Sequence, residues 1–183
     1  MALIGILAGV AFASAISLLV VFFVAKSQLA DRLSNWAFLA FEILSVPVIL
    51  EIHRRYVEQA AFTWAFTVAG LAAMAVLIVT GVLIVAGRVE FARVSYAQTG
   101  AFAMWLVWVA GTGYLVLAHG GLPVGLGWLA LGAVVVGLGV IGWMSRDRAL
   151  VRGEKTPTRT QMFLSTVPFI GLVGWLIWLG ASL

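Results

Sequence analysis

Residues 42–58 read EILSVPVILEIHRRYVE, and this stretch decides how the rest of the chain is interpreted. Glu42 falls inside an apolar segment, Pro47 follows five residues later, and a cluster of charged residues ends the stretch. Long apolar runs recur throughout the 183 residues, of which 63% are hydrophobic and only 10% charged. This composition is typical of an integral membrane protein, not of a soluble domain with a single core.

The length of the chain limits the number of membrane spans. A transmembrane helix needs about 20 apolar residues, so six or seven spans leave no room for a second, soluble domain. We predict an all-α bundle of six transmembrane helices in one domain, with loops at residues 26–35 and 88–98 among others. The predicted spans are residues 3–25, 36–52, 60–87, 99–118, 126–144 and 162–183. Pro47 and Pro168 fall inside spans two and six, where we predict bends because proline removes a helical hydrogen bond.

The lysines and arginines are distributed unevenly between the two sides of this bundle. Only Arg54 and Arg55 lie on one side. The other side holds nine: Lys26, Arg32, Arg88, Arg93, Arg146, Arg148, Arg152, Lys155 and Arg159. Because cytoplasmic loops are enriched in these residues, we predict that both termini face away from the cytoplasm. The cations form no continuous basic face, so no nucleic-acid partner is predicted, and the lack of cysteine excludes thiol chemistry.

Small residues recur at helical spacing on two spans. Those on span one are Gly5, Gly9, Ala13 and Ser17, and those on span five are Gly125, Gly132 and Gly139. Such spacing lets helices approach closely in lipid. Besides the lipid bilayer, we therefore predict other membrane subunits or a second copy of the chain as partners of these faces.

Two segments resemble a known group of proteins. The turn Gly121-Leu122-Pro123 is followed by Leu126-Gly127-Trp128-Leu129-Ala130, and a proline-containing span from Leu44 ends in a basic turn at Arg55. In both, the chain resembles a broad group of uncharacterised six-helix bacterial integral membrane proteins. The resemblance implies six helices and a bacterial inner membrane, and it implies no catalytic residues.

Glu42 is the first candidate site. At 1.5 Å per residue it lies about 10 Å inside the cytoplasmic boundary, where a carboxylate is costly unless it is paired, protonated or hydrated. Polar residues at similar depth are predicted to form a layer with it, namely Ser17, Ser45, Thr80, Ser165 and Thr166. Two alternatives remain open: a protonated glutamate that bridges two helices, and a path for protons or cations.

A charged cluster near the outer boundary is the second candidate site. It consists of Glu51, His53, Arg54, Arg55, Glu58 and His119. Glu51 with Arg55, and Arg54 with Glu58, have the spacing of helical ion pairs, which predicts a salt-bridged helix end. Glu42 and His53 are eleven residues apart and fall on nearly the same helix face, about 16 Å from each other along the axis.

Histidines and tryptophans suggest further alternatives. His53 and His119 lie near one boundary, where two facing imidazoles could hold haem or a metal ion. Trp105 and Trp108 share one face of span four, where they either fill the core or line an apolar pocket for a flat ligand. We predict no bound metal or cofactor.

The chain contains no local hydrolase, metalloprotease, P-loop or dinucleotide-binding motif, so no enzymatic activity is predicted. The first expected function is a non-enzymatic membrane scaffold or accessory subunit with a polar layer around Glu42. The alternative is a small proton- or cation-coupled transporter or channel that uses Glu42. A haem- or pigment-binding membrane protein is the third.

Overall fold

The computed structural model describes residues 1–144, 146–147 and 158–183, with only the backbone described at 141, 144 and 159–165. These residues form six α-helices and no β-strand, which confirms the all-α bundle. The helices are α1 (Ala2–Ala25), α2 (Gln28–Tyr56), α3 (Thr63–Val85), α4 (Phe91–His119), α5 (Val124–Met144) and α6 (Arg159–Ser182). Helices α1 to α4 are each long and apolar enough to cross a membrane, and α5 and α6 contain the shorter apolar stretches Val124–Val140 and Thr166–Ser182. The chain is therefore a membrane-embedded helical protein.

The six helices close into a ring. Each helix packs against the next one along the chain, and α6 packs against α1. The connections are short up to α5, and the one between α1 and α2 is only residues 26–27. Short connections make α1 to α5 successively antiparallel. The contact between Gly5 and Gly180 brings the two ends of the chain to the same side of the ring.

Two predicted loops are helical instead. Residues 28–35 form the first turns of α2, because Ser27 caps that helix by accepting a hydrogen bond from the Ala30 amide at 3.3 Å. Residues 91–98 likewise belong to α4, which begins at Phe91. Both helices have 29 residues and are longer than the hydrocarbon core requires, so their polar first turns can extend into the interface. Pro47 and Pro168 lie inside α2 and α6, and bends at these positions stay predictions.

Aromatic rings fill the centre of the ring of helices. Phe12 of α1 stacks on Phe41 of α2 with a centroid distance of 4.4 Å, and Trp105 of α4 meets Phe41 edge-on at 5.4 Å. Trp108 of α4 contacts Trp175 of α6 at 5.8 Å. All five side chains are at most 1% exposed. The central aromatic cluster, as we call these five residues, closes the middle of the bundle.

The small-residue face of α1 is occupied by α6 of the same chain. A Cβ added to Gly5 would lie 2.5 Å from the Cα of Gly180, and one added to Gly9 would lie 2.6 Å from a side-chain carbon of Ile177. Ser17, at the other end of the face, is exposed. The α1 face therefore closes the ring.

The predicted face of α5 is used at only one end. Gly125 packs against the Trp178 ring, whereas a Cβ at Gly132 or Gly139 would meet no described atom within 4 Å. Gly132 and Gly139 are also exposed. Most of the α5 face is thus turned away from the rest of the described chain.

Candidate functional site: a buried carboxyl group between helices two and three

Glu42 is buried where α2 packs against α3. Its side chain is 4% exposed, and a Cβ added to Gly81 of α3 would lie 2.9 Å from its Oε2 atom. The absence of a side chain at Gly81 therefore creates the space that the carboxyl group occupies. Among the described residues, Oε2 has no hydrogen-bond partner. Burying such a group without a partner is costly in an apolar environment.

No counterion is available from the helices that flank α2. Helices α1 and α3 pack on either side of it, and neither contains an acidic, basic, histidine or tyrosine residue anywhere along its length. Within α2, the nearest charged residues in sequence are Arg32 and Glu51, about 15 and 13 Å away along the helix axis. The charged form of Glu42 therefore lacks an ion-pair partner on α1, α2 and α3.

The polar residues near Glu42 form hydrogen bonds elsewhere. The Ser45 hydroxyl donates to the carbonyl of Phe41 at 2.8 Å, and the Thr80 hydroxyl donates to the carbonyl of Val76 at 2.8 Å. Thr80 also accepts a hydrogen bond of 3.1 Å from the side-chain amide of Gln98 on α4. Gln98 was missed because the sequence pattern assigned it to a loop. Ser45 and Thr80, the described members of the polar layer on α2 and α3, therefore form no hydrogen bond with Glu42.

Three other predicted members of the layer have different outcomes. Ser17 is exposed on α1 and does not join the buried group, because counting residues fixes its depth but not the side of the helix it faces. Thr166 of α6 is half-buried. The side chain of Ser165 lies outside the described residues.

At the other end of α2, Glu51 binds two arginines. The Arg54 guanidinium donates two hydrogen bonds to the Glu51 carboxylate, at 2.9 and 2.8 Å, and Arg55 donates one at 3.1 Å. The Glu51–Arg55 pair is the predicted one. Arg54 binds Glu51 and not Glu58, because α2 ends at Tyr56 and the helical spacing does not continue to residue 58.

This end of α2 is also tied to α4 and to the end of α6. The Tyr56 hydroxyl donates a 2.6 Å hydrogen bond to the carbonyl of Gly120, which follows α4. Arg55 donates a 3.0 Å hydrogen bond to the carbonyl of Leu183, which follows α6. This end of α2 therefore joins the ends of three helices.

The two histidines have separate surroundings. Nδ1 of His53 lies 2.9 Å from the hydroxyl of Thr67 on α3, and its ring meets the Trp64 ring edge-on at 4.2 Å. His119 is exposed at the end of α4. No group of three potential metal ligands occurs in the described part of the chain. His53 therefore faces α3, as Glu42 does, and the α2–α3 interface carries a carboxyl group towards one end and an imidazole at the other.

Trp105 and Trp108 belong to the central aromatic cluster. The indole nitrogen of Trp105 is buried without a hydrogen-bond partner in the described structure, as is the Thr112 hydroxyl two turns further along the same face of α4. The two tryptophans occupy the interior as packing residues.

The chain matches no protein-family model, no curated protein sequence and no solved structure. Any function assigned to it therefore rests on the geometry of the α2–α3 interface.

Proposed function

We propose that the protein is a small proton-coupled transporter or channel of a bacterial inner membrane, in which Glu42 binds the proton. The observation that carries the proposal is the buried Oε2 atom without a partner among the described residues. A glutamate that only bridged two helices would form a hydrogen bond across the interface, and the described residues offer none to this atom. An intramembrane acid that costs stability without contributing a bond is by default a functional residue.

The proposed ligand is a proton and not a metal ion. Metal cations such as Ca²⁺ and Mg²⁺ require about six oxygen ligands, and no group of three potential metal-ligating side chains occurs in the described part of the chain. A proton needs only the carboxyl group itself. The neutral acid is favoured at rest, because the flanking helices offer no counterion.

The two ends of the α2–α3 interface carry different groups, and this difference defines the proposed direction of proton movement. Glu42 packs against Gly81, near the end of α3, and the described cations on that side of the bundle are five: Lys26, Arg32, Arg88, Arg93 and Arg146. The excess of loop cations supports that side as the cytoplasmic one. His53 lies about 16 Å further along the same helix. Ile49 and Met74, both fully buried, occupy the helix faces between them. Transfer between the two groups requires this stretch of the interface to open and admit water.

The test is proton flux into liposomes that contain the purified protein. We expect flux above background for the wild type and for Glu58→Gln, which removes an exposed acid beyond the end of α2. Glu42→Gln keeps the shape of the side chain but cannot release a proton, so its flux is expected to fall to background. Equal flux in wild type and Glu42→Gln, with both proteins folded, would exclude the proposal.

A second candidate is a membrane scaffold or accessory subunit. Two observations favour it: the central aromatic cluster fills the ring, and the exposed Gly132 and Gly139 leave one side of α5 without a neighbour in the described chain. In this case all variants would give background flux. Leucine at positions 132 and 139 would then reduce chemical crosslinking between copies in the membrane, whereas leucine at Gly174, which is also open, would not.

A further inference from the structure

An apolar groove of about 370 Å³ lies on the outer surface of α4, between α3 and α5. Its floor is a single stripe of α4, formed by Val107, Ala110, Gly111 and Tyr114 at helical spacing. Phe66 of α3 forms one wall and side chains of α5, including Leu138, form the other. The groove is open to the side of the ring and therefore faces the bilayer.

The groove exists because α4 is set back between its neighbours. Within its most apolar stretch 56% of α4 is buried, compared with 33% of α3. Phe66 packs directly on Gly111, where a Cβ would clash with its ring. The small residues of the floor thus bring α4 inward while the larger side chains of α3 and α5 project on both sides.

The shape of the groove follows from its floor, which is one stripe along α4. From Val107 to Tyr114 the floor is about 10 Å long, which suits a narrow, extended chain lying along α4.

The chemistry of the lining identifies the class of ligand. No lining residue is charged, and the only polar side-chain atom is the hydroxyl of Tyr114. Tyr114 lies five residues before the end of α4, and tyrosines commonly place their hydroxyl towards the membrane interface with the ring in the apolar region. We propose that the groove binds one acyl chain of a membrane lipid, with the ester and headgroup at the Tyr114 end.

The test measures how much phospholipid stays bound after extensive washing in mild detergent. Native mass spectrometry would be applied to the full chain reconstituted in phosphatidylglycerol, and separately in phosphatidylcholine with the same acyl chains. Val107→Trp fills the floor of the groove, and Val79→Trp places the same ring on a surface of α3 that is exposed to lipid outside it. Leu138→Trp fills the groove from the α5 side. It replaces Val107→Trp in the test if that variant does not fold.

We expect wild type and Val79→Trp to retain one lipid of either headgroup. Retention by Val107→Trp or Leu138→Trp should fall by about tenfold or more, equivalent to at least about 1.4 kcal/mol of binding free energy. Equal retention in the groove variants and Val79→Trp would overturn the proposal. Retention of phosphatidylglycerol alone would also overturn it, because it would show recognition of a headgroup. The inference depends only on membrane insertion and is independent of the role of Glu42.

Discussion

The closure of the ring depends on a contact between two glycines, and Gly5→Ala tests it directly. A Cβ at position 5 would lie 2.5 Å from the Cα of Gly180. Carbon atoms in contact prefer separations of about 3.5 to 4.0 Å, so α1 and α6 would have to move apart by about 1 Å. Both sides of the contact are backbone, and no change of side-chain rotamer can relieve it.

The magnitude is set by comparison with a matched control. Overpacking of this kind costs about 1 to 3 kcal/mol. Alanine also favours the helix over glycine by about 1 kcal/mol, which partly offsets that cost. Gly174→Ala, on α6, gains the same helix propensity but meets no atom of the described residues within 4 Å. The propensity terms cancel between the two variants, so Gly5→Ala should be less stable than Gly174→Ala by about 1 to 3 kcal/mol.

The assay is reversible unfolding in mixed micelles of mild detergent and sodium dodecyl sulfate, followed by tryptophan fluorescence. The unfolding midpoint of Gly5→Ala should be lower than that of wild type, and that of Gly174→Ala equal or higher. If Gly5→Ala were as stable as Gly174→Ala, α1 and α6 would not be in backbone contact and the closed ring would be refuted.

Three further substitutions address the polar groups of α2, each measured in the same unfolding assay. Glu42→Leu should raise the free energy of unfolding by about 1 to 3 kcal/mol, because it removes a buried group that lacks a partner; a loss of stability would instead indicate a structural bond to the carboxyl. Glu51→Ala removes the acceptor of both guanidinium groups and should lower the free energy of unfolding. The loss should be only about 1 to 2 kcal/mol, because one of the two partners, Arg54, is largely exposed and screened by solvent. An unchanged midpoint would contradict the proposed link between helix ends. Tyr56→Phe leaves the Gly120 carbonyl without its donor and should cost about 1 kcal/mol, with faster amide exchange at the end of α4; unaltered exchange there would argue against that hydrogen bond.

The helices themselves could be predicted from hydropathy, but their ends could not. Hydropathy marks the part of a helix that lies in hydrocarbon. The helix itself can continue beyond that part, as long as its backbone hydrogen bonds are formed, so hydropathy does not predict where it begins or ends. Asp31 and Arg32 therefore suggested a loop although they lie in the first turns of α2, which Ser27 caps. Gln98 was assigned to a loop for the same reason, and its bond to Thr80 was missed.

The burial of Glu42 could be inferred from its position in an apolar segment, but its surroundings could not. Depth along a helix can be counted at 1.5 Å per residue, yet the direction in which a residue points depends on how the helices are arranged around it. Ser17 was predicted at the level of Glu42 and lies on the exposed side of α1. The role of Gly81 could not be predicted from the sequence. Glycines occur at many kinds of helix contact in apolar spans, and only the structure shows that this one packs against the Glu42 carboxyl group.

The way the helices are held together bears on why Glu42 is present. In lipid there is no hydrophobic force between helices, so association depends on close packing and on hydrogen bonds. Here large rings pack onto glycines of neighbouring helices: Trp108 of α4 onto Gly70 of α3, and Trp178 of α6 onto Gly125 of α5. These contacts join successive helices without any polar group. The carboxyl of Glu42 adds no bond to its own interface among the described residues, so helix association does not account for it, and this supports the proposed proton-binding role.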